Sequence, residues 1–392
     1  MPSRRRAEAV VLLVALLAFA SECLGRLAVE GTSGLSCERA SWLLGDCVTY
    51  RSIVRGIVDQ HTLDQAVTGW DRELYVEGHH QKVALQDSSV SLTTDGRLVP
   101  KHPVIFAAAL VLPYALLREW GLLAFNVVQS ALLVLLVQRL SRLFAGEVAA
   151  GAAALAFLAD GIVRNYSCNV SPDVFGAVLL VGGVVCVWTP GARVRVAALG
   201  GALLGLALWM RPLNAVGLVA LLPRALEIAR ERRVSAERLA PFAAYALVAG
   251  GYLALDAAWF GSPFVTSYDR VVVMEDGVRK LAASSDCFHR PFLASLVPTL
   301  ADPEHGLLGT APHAPLLLLA LASLARKGRA RAAALAVIAF APVVFLVRYD
   351  YWDTSHYGNR FFLLAAAATS PGTAWYVERL LRRARPARPG VA

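Results

Sequence analysis

The chain is 392 residues long, 57% hydrophobic and only 17% charged, with a mean hydropathy of +0.53. A water-soluble domain of that length carries more charge and fewer unbroken apolar runs, so these values exclude an ordinary soluble fold. The formal net charge of +9 does not signal a nucleic-acid partner, because the arginines stand in clusters flanking apolar runs, as cytoplasmic helix ends do.

In chain order, Arg4 to Arg6 precede the apolar run Ala9 to Ala20 and then Ser21-Glu22-Cys23. This is the pattern of a signal segment cleaved after Ala20 or of a first membrane helix; the expectation is a retained anchor. A polar stretch follows from about Glu30 to Lys101, rich in acids and histidines, and then recurring runs near the ~20 residues that cross a bilayer. The remaining basic clusters are Arg139 with Arg142, Arg193 with Arg195, Arg224 to Arg238, Arg326 to Arg331 and Arg379 to Arg388. Placing all of them in the cytoplasm sets spans near 9–27, 121–138, 147–164, 173–190, 196–210, 212–223, 240–259, 310–325, 332–347 and 361–378. That is about ten crossings with both termini inside. Val104 to Leu117 is short and contains Pro113; a crossing there would move every later cluster to the other side, so it is expected as an interfacial or re-entrant helix.

Acids and histidines played no part in this solution and so test it. All eight histidines and all fifteen aspartates fall on the outer side or at the outer membrane edge. The working face is therefore expected outside. The fold expected is an all-α polytopic membrane protein, a single integral domain over 1–392. Its first external loop spans 30–120 with interfacial helices, and its second spans 260–310. Abundant Arg and Ala against four lysines point to a GC-rich bacterial coding sequence and hence a bacterial plasma membrane.

Cys37 and Cys47 lie ten residues apart in the first loop, where a local disulfide is chemically allowed. Cys23, Cys168 and Cys186 sit in or beside spans. Asp160 and Arg164, spaced i, i+4, are expected to pair. The sequence holds no Walker loop, no strand followed by G-x-G-x-x-G, no H-E-x-x-H, no G-x-S-x-G and no Cys/His zinc spacing, so nucleotide hydrolysis, zinc proteolysis and serine esterase chemistry lack support.

The local patterns at the outer face are more informative. Gly45-Asp46-Cys47-Val48-Thr49-Tyr50 runs on to Asp59 and Asp64; Lys101-His102-Pro103 enters the interfacial helix; Ser171-Pro172-Asp173 opens a span. Later come Met210-Arg211-Pro212-Leu213-Asn214, Phe260-Gly261-Ser262-Pro263 through Tyr268, and Gly358-Asn359-Arg360-Phe361-Phe362. Together these resemble the polytopic GT-C glycosyltransferases that use polyprenyl-phosphate sugars. The branch resembled is that of the bacterial relatives of dolichyl-phosphate-mannose protein mannosyltransferases and of lipid A aminoarabinose transferases. In that family an acidic pair follows a glycine in the first external loop. Here Gly45-Asp46 matches, and Cys47 replaces the second acid. No cofactor is therefore implied with certainty, and a divalent metal at that position would lack one of its acids.

The resemblance implies transfer of a sugar from a polyprenyl-phosphate donor to an acceptor hydroxyl of a protein, lipid or glycan, at the extracytoplasmic face of the bilayer. Such a reaction needs a carboxylate to take the acceptor's proton and cations to receive the departing phosphate. Asp46 and Asp173 are the candidate catalytic carboxylates. Tyr50, Lys101, His102, Arg211, Asp256 and Arg360 are the candidate substrate-binding residues. Two other classes fit ten spans: a transporter or lipid flippase, and a catalytically inactive assembly protein, for which Cys47 is the best support. Ionisable groups gathered at one face, rather than in paired broken helices at mid-membrane, favour the transferase.

Overall fold

The computed structural model describes residues 2–30, 46–63, 90–232, 234–275, 278–283, 287–350 and 360–384. Among them the chain is predominantly helical. Helix α1 (Pro2–Glu30) shows why. Val11, Ala15, Phe19 and Cys23 are buried, a stripe of i, i+4 spacing, while Leu13, Leu17 and Leu24 on the other faces are exposed. A helix apolar all round yet packed along one stripe is built to face lipid with the remainder.

After α1 come α2 (Asp46–Asp59), strands β1 (Val90–Leu92) and β2 (Leu98–Pro100), α3 (Val104–Leu117) and α4 (Glu119–Arg142). Helices α5 (Glu147–Ala159), α6 (Gly161–Ser167), α7 (Pro172–Trp188) and α8 (Val194–Met210) follow. A 3-10 segment (Pro212–Leu221) leads into α9 (Leu222–Glu231) and α10 (Ala236–Phe260), and a short 3-10 turn (Ser267–Asp269) into β3 (Val271–Glu275) and β4 (Val278–Ala282). The chain continues with α11 (Phe292–Ala301), α12 (Leu307–Thr310), α13 (Ala314–Arg348), a 3-10 turn (Arg360–Phe362) and α14 (Leu363–Ala384).

Among the described residues, five helices are long and apolar enough to cross a membrane: 4–25, 119–142, 212–231, 236–260 and 314–348. A sixth is counted if α6 and α7, bent by 114°, form one broken span. Charge parity gives ten; shorter apolar helices, among them Glu147–Ala159 and Val194–Met210, stand outside this count by length. The expected span 147–164 divides at Asp160, whose backbone leaves helical geometry (φ −59, ψ 130). The expected spans 310–325 and 332–347 correspond to the two helical parts of α13, which divide at Gly328 (φ 171, ψ 99) inside the basic run Arg326 to Arg331. Helix α3, at 14 residues, reaches only about 21 Å against a hydrocarbon core of about 30 Å. It turns sharply into α4 at Arg118 (φ 54), and a Cβ on Gly121 would lie 1.9 Å from the Pro113 carbonyl oxygen.

Helix α4 lies at the centre of the bundle, with most of its apolar window buried, while α1 and α10 are peripheral. Close helix approach depends on small residues, as in other membrane bundles: a Cβ on Gly201 would come 1.9 Å from the Pro241 carbonyl oxygen of α10, and one on Gly205 would meet Val248 at 2.8 Å. Basic clusters that parity assigns to one side do meet at one end. Glu8 takes both Arg139 (2.8 Å) and Arg142 (2.6 Å). Lys327, from the later basic run, donates to the carbonyl of Phe144, just past the end of α4.

The opposite end carries a four-stranded antiparallel sheet in the order β2-β1-β3-β4. The β1–β2 hairpin pairs Val90 with Pro100 and Leu92 with Leu98; the β3–β4 hairpin pairs Val271 with Ala282 and Glu275 with Val278. The Ser91–Val271 pairing joins them, so the two polar segments, 30–120 and 260–310, contribute to one cap. Sequence alone predicts interfacial helices there and no sheet. The available signal for β3 is the β-branched run Val271-Val272-Val273 ahead of Asp276-Gly277, a common hairpin pair.

Candidate active site

The chain breaks helix between Cys168 and Ser171, and the break is held from several directions. Asn126 of α4 donates to the carbonyls of Tyr166 (2.7 Å) and Ser167 (2.6 Å), which the end of α6 leaves without helical donors. His313 Nε2 meets Ala366 O at 3.0 Å, and its Nδ1 lies 3.4 Å from Asp160 Oδ2. Arg164 pairs with Glu22 of α1. The expected Asp160–Arg164 pair is thus replaced by two longer-range ones, because Asp160 ends α5 rather than sharing a continuous helix with Arg164.

From this break α7 starts. Ser171 is its N-cap, accepting from the Asp173 N–H at 3.2 Å, and Pro172 occupies the first turn, where its missing N–H costs nothing. Asp173 is thereby fixed at a helix N-terminus. Helix α8 ends at Met210, and Arg211 follows in extended conformation (φ −158, ψ 138). Asn214 closes that end, donating to Ala207 O at 3.0 Å. Gly176 of α7 leaves room for it, since a Cβ there would lie 3.0 Å from Asn214 Nδ2.

Arg211 consequently reaches Asp173 with two hydrogen bonds, Nε to Oδ1 at 2.7 Å and an Nη to Oδ2 at 3.2 Å. This fork geometry is the strong form of a guanidinium–carboxylate pair. Arg360, from the turn before α14, brings its Nε to 3.6 Å from Asp173 Oδ2. Both guanidiniums pack on the Phe361 ring, at 5.2 and 5.5 Å from its centroid. The side chains are 7% (Asp173), 16% (Arg211) and 27% (Arg360) exposed. Two guanidiniums and one carboxylate give this trio an excess of one positive charge, at the N-terminal end of α7. The cleft among Pro172, Asp173, Arg211, Asn214, Arg360 and Phe361 encloses about 20 Å³, room for about one water molecule.

Lys101 and His102 occupy a second cluster, where β2 leads into α3. Ser267 Oγ donates to Lys101 O at 2.7 Å, and the Lys101 Nζ lies 5.9 Å from the Tyr268 ring centroid. The His102 ring stands 5.6 Å from that of Tyr50 and 6.5 Å from that of Tyr268. Tyr50 is fully buried and packs edge-on against Phe106 at 4.8 Å. Phe106 in turn meets Phe175 at 5.7 Å, two residues along α7 from Asp173. An aromatic ladder thus connects the clusters. Helix α2 is held by two ion pairs to the corner between α3 and α4: Arg51 with Glu119 (2.8 Å) and Asp59 with Arg118 (2.7 Å).

The structure therefore gathers Asp173, Arg211 and Arg360 in one group and Tyr50, Lys101 and His102 in another. Asp256 joins neither directly; it is buried in α10, one turn after Tyr252. Asp46 opens α2, on the helix that carries Tyr50, but its side chain and that of Cys47 lie outside the described residues, as do Asp64, His79 and His80. Among the described residues no three His, Cys, Asp or Glu side chains come together. Sequence alone does not single out Phe361, Asn214 or Tyr268. Phe361's adjacency to Arg360 is the available signal; the other two require knowing which helix ends meet.

No family model matches the chain, and no curated protein matches it. Solved structures do. ArnT from Cupriavidus metallidurans, bound to undecaprenyl phosphate, superposes with a TM-score of 0.56 over 96% of this chain at 14% identity. The oligosaccharyltransferase of Archaeoglobus fulgidus in its apo form gives 0.54 over 98% at 12% identity. The same organism's AglB, in complex with an inhibitory peptide and a dolichol-phosphate, gives 0.54 over 98% at 11% identity. The fold is GT-C. At these identities the likeness concerns the fold alone. The chain covers 60%, 53% and 52% of the three neighbours' lengths, so it matches part of each and not their whole chains.

Proposed function

We propose that this protein is a membrane glycosyltransferase that moves a sugar from a polyprenyl-phosphate donor to an acceptor hydroxyl at the extracytoplasmic face of a bacterial plasma membrane. The observation that carries this reading is the Arg211–Asp173–Arg360 group, which brings two guanidiniums together at a helix end, within a fold whose solved examples hold undecaprenyl phosphate and dolichol-phosphate.

A polyprenyl-phosphate sugar is a phosphodiester carrying one negative charge, which guanidiniums suit as hydrogen-bond donors. As the bond from the anomeric carbon to the phosphate oxygen breaks, the phosphate becomes a monoester whose charge rises toward −2. The guanidiniums then interact more strongly with the departing group than with the bound donor, which is the condition for lowering a barrier rather than only tightening binding. The acceptor oxygen bonds to the anomeric carbon and loses its proton to a carboxylate, for which Asp46 is the candidate. Asp173 is a poorer candidate for that proton, because both its oxygens face guanidinium nitrogens. Its role in this scheme is to aim Arg211 and Arg360. With room for only one water, the cleft admits a phosphate when a guanidinium swings aside, and Arg360 is the longer-paired and more exposed of the two. Tyr50, Lys101 and His102 form the donor site's second wall, and Asp256 supports it from α10.

The test is sugar transfer by reconstituted enzyme given a polyprenyl-phosphate sugar and an acceptor-containing extract. Asp46→Asn is expected to cut transfer by about 10²–10⁴, the usual contribution of a general base, while donor binding persists. Transfer at the wild-type rate would remove Asp46 from the mechanism.

A further inference from the structure

Two cysteines that the transfer chemistry does not use lie where α1 meets the helix break. Cys23 of α1 and Cys168, after the end of α6, have their Sγ atoms 2.6 Å apart, against about 2.05 Å in a disulfide bond. Both are buried, at 4% and 1% exposed. The neighbouring Glu22–Arg164 ion pair fixes the same two elements against each other, so the approach of the sulfurs is part of a built contact. They are 145 residues apart in sequence, and Cys168 lies five residues before Asp173.

We propose that Cys23 and Cys168 form a disulfide that staples the first helix to the break presenting Asp173. The bond requires an oxidising compartment. It therefore rests on the placement of this end of the molecule outside the cytoplasm, as in the function proposed above. The step is a thiol–disulfide exchange with a disulfide-bearing oxidant protein of that compartment. The Cys168 thiolate attacks the oxidant's disulfide and forms a mixed disulfide. The Cys23 thiolate then attacks the Cys168 sulfur and releases the oxidant as its dithiol, which takes up the two protons and two electrons lost by the cysteines. Burial places the exchange before α1 closes against its neighbours and shields the finished bond from reductants.

A protease site placed between Glu30 and Cys37 gives a direct test, because Cys23 is then the only cysteine on the released helix. Cells are treated with N-ethylmaleimide before lysis, and the purified protein is cleaved and run on a denaturing gel without reductant. The α1 fragment is expected to stay with the body of the protein, to come free on adding dithiothreitol, and to come free without it in Cys168→Ser and in Cys23→Ser. On the unaltered chain, a linked peptide containing Cys23 and Cys168, two mass units below the sum of the two thiol peptides, is the matching result. Release of α1 from the wild type without reductant, or its retention in Cys168→Ser, overturns the proposal. Neither readout involves sugar transfer, so failure here is distinct from failure of the proposed activity.

Discussion

Arg211 and Arg360 project from helix ends that the bundle core fixes, whereas Lys101 and His102 sit at a seam between hairpins from two distant polar segments. The first cluster is an ion-pair network: a forked guanidinium–carboxylate pair, a second guanidinium and a shared aromatic ring. The second is mainly rings, with one ammonium near a tyrosine face. Arg211, forked on Asp173, is positioned before substrate arrives and needs little reorganisation during reaction, and Arg360 is the member that moves to admit the phosphate. The second cluster depends on how the cap closes over the membrane helices. In the proposed scheme, phosphate recognition accordingly belongs to the first cluster and adjustment of the donor's position to the second.

Substitutions can break that division, and the largest effect is expected at Arg211. Arg211→Ala removes a fixed donor from the departing phosphate and leaves Asp173 with the weaker partner; transfer is expected to fall by about 10²–10³, measured as initial rates in proteoliposomes. A loss no greater than that for Lys101→Ala would remove the distinction between the clusters. Asp173→Asn separates aiming from proton transfer. Without its charge, residue 173 competes less for the arginines, so the phosphate is expected to bind at least as tightly while kcat falls by about tenfold, less than the ~10²–10⁴ of a lost base. A fall in that larger range would make Asp173 the base in place of Asp46. At the second cluster, His102→Ala and Lys101→Ala are expected to weaken donor binding about three- to tenfold, the scale of one modest hydrogen bond or cation–π contact.

The smallest effect concerns the cap's anchorage to the end of α13. The His289 ring hydrogen bond, the first of several contacts, holds the Asp350 carboxyl below its ordinary value. A depressed acid of this kind contributes stability above its unfolded-state pKa and loses it as pH falls through the lowered folded-state value. Hydrogen exchange at residues 287–290 is therefore expected to change little from pH 7 to 5 and to rise below about pH 4. Asp350→Asn should remove that acid-dependent rise.

The membrane class was legible in the sequence because it rests on bulk properties: apolar runs, flanking arginines and acids gathered in the polar segments. The short α3 was legible too, since its length and Pro113 leave few alternatives. The internal breaks of the helices were not all legible. The basic run Arg326 to Arg331 marks the division at Gly328, but the break at Asp160 inside the expected span 147–164 comes from local backbone geometry that composition does not encode. Of the candidate site residues, Tyr50, Lys101, His102, Asp173, Arg211 and Arg360 fall within the two linked clusters, because the motifs that carry them stand at helix ends facing the cap. Their partition into two groups was invisible, since it depends on α7, α8 and α14 meeting at their ends while β1 pairs with β3. Phe361 illustrates the same limit: its place beside Arg360 is sequence, but its contact with Arg211 is tertiary structure.

The central claim, that Arg211 and Arg360 together hold a lipid phosphate, is tested most directly by measuring the Kd for undecaprenyl phosphate in nanodiscs for wild type and the Arg211→Ala/Arg360→Ala double variant. Each lost hydrogen bond to a charged group is worth roughly 1.5–3 kcal/mol, so the double variant is expected to bind at least about 10²-fold more weakly. Binding by the double variant within a factor of about two of wild type would contradict the claim.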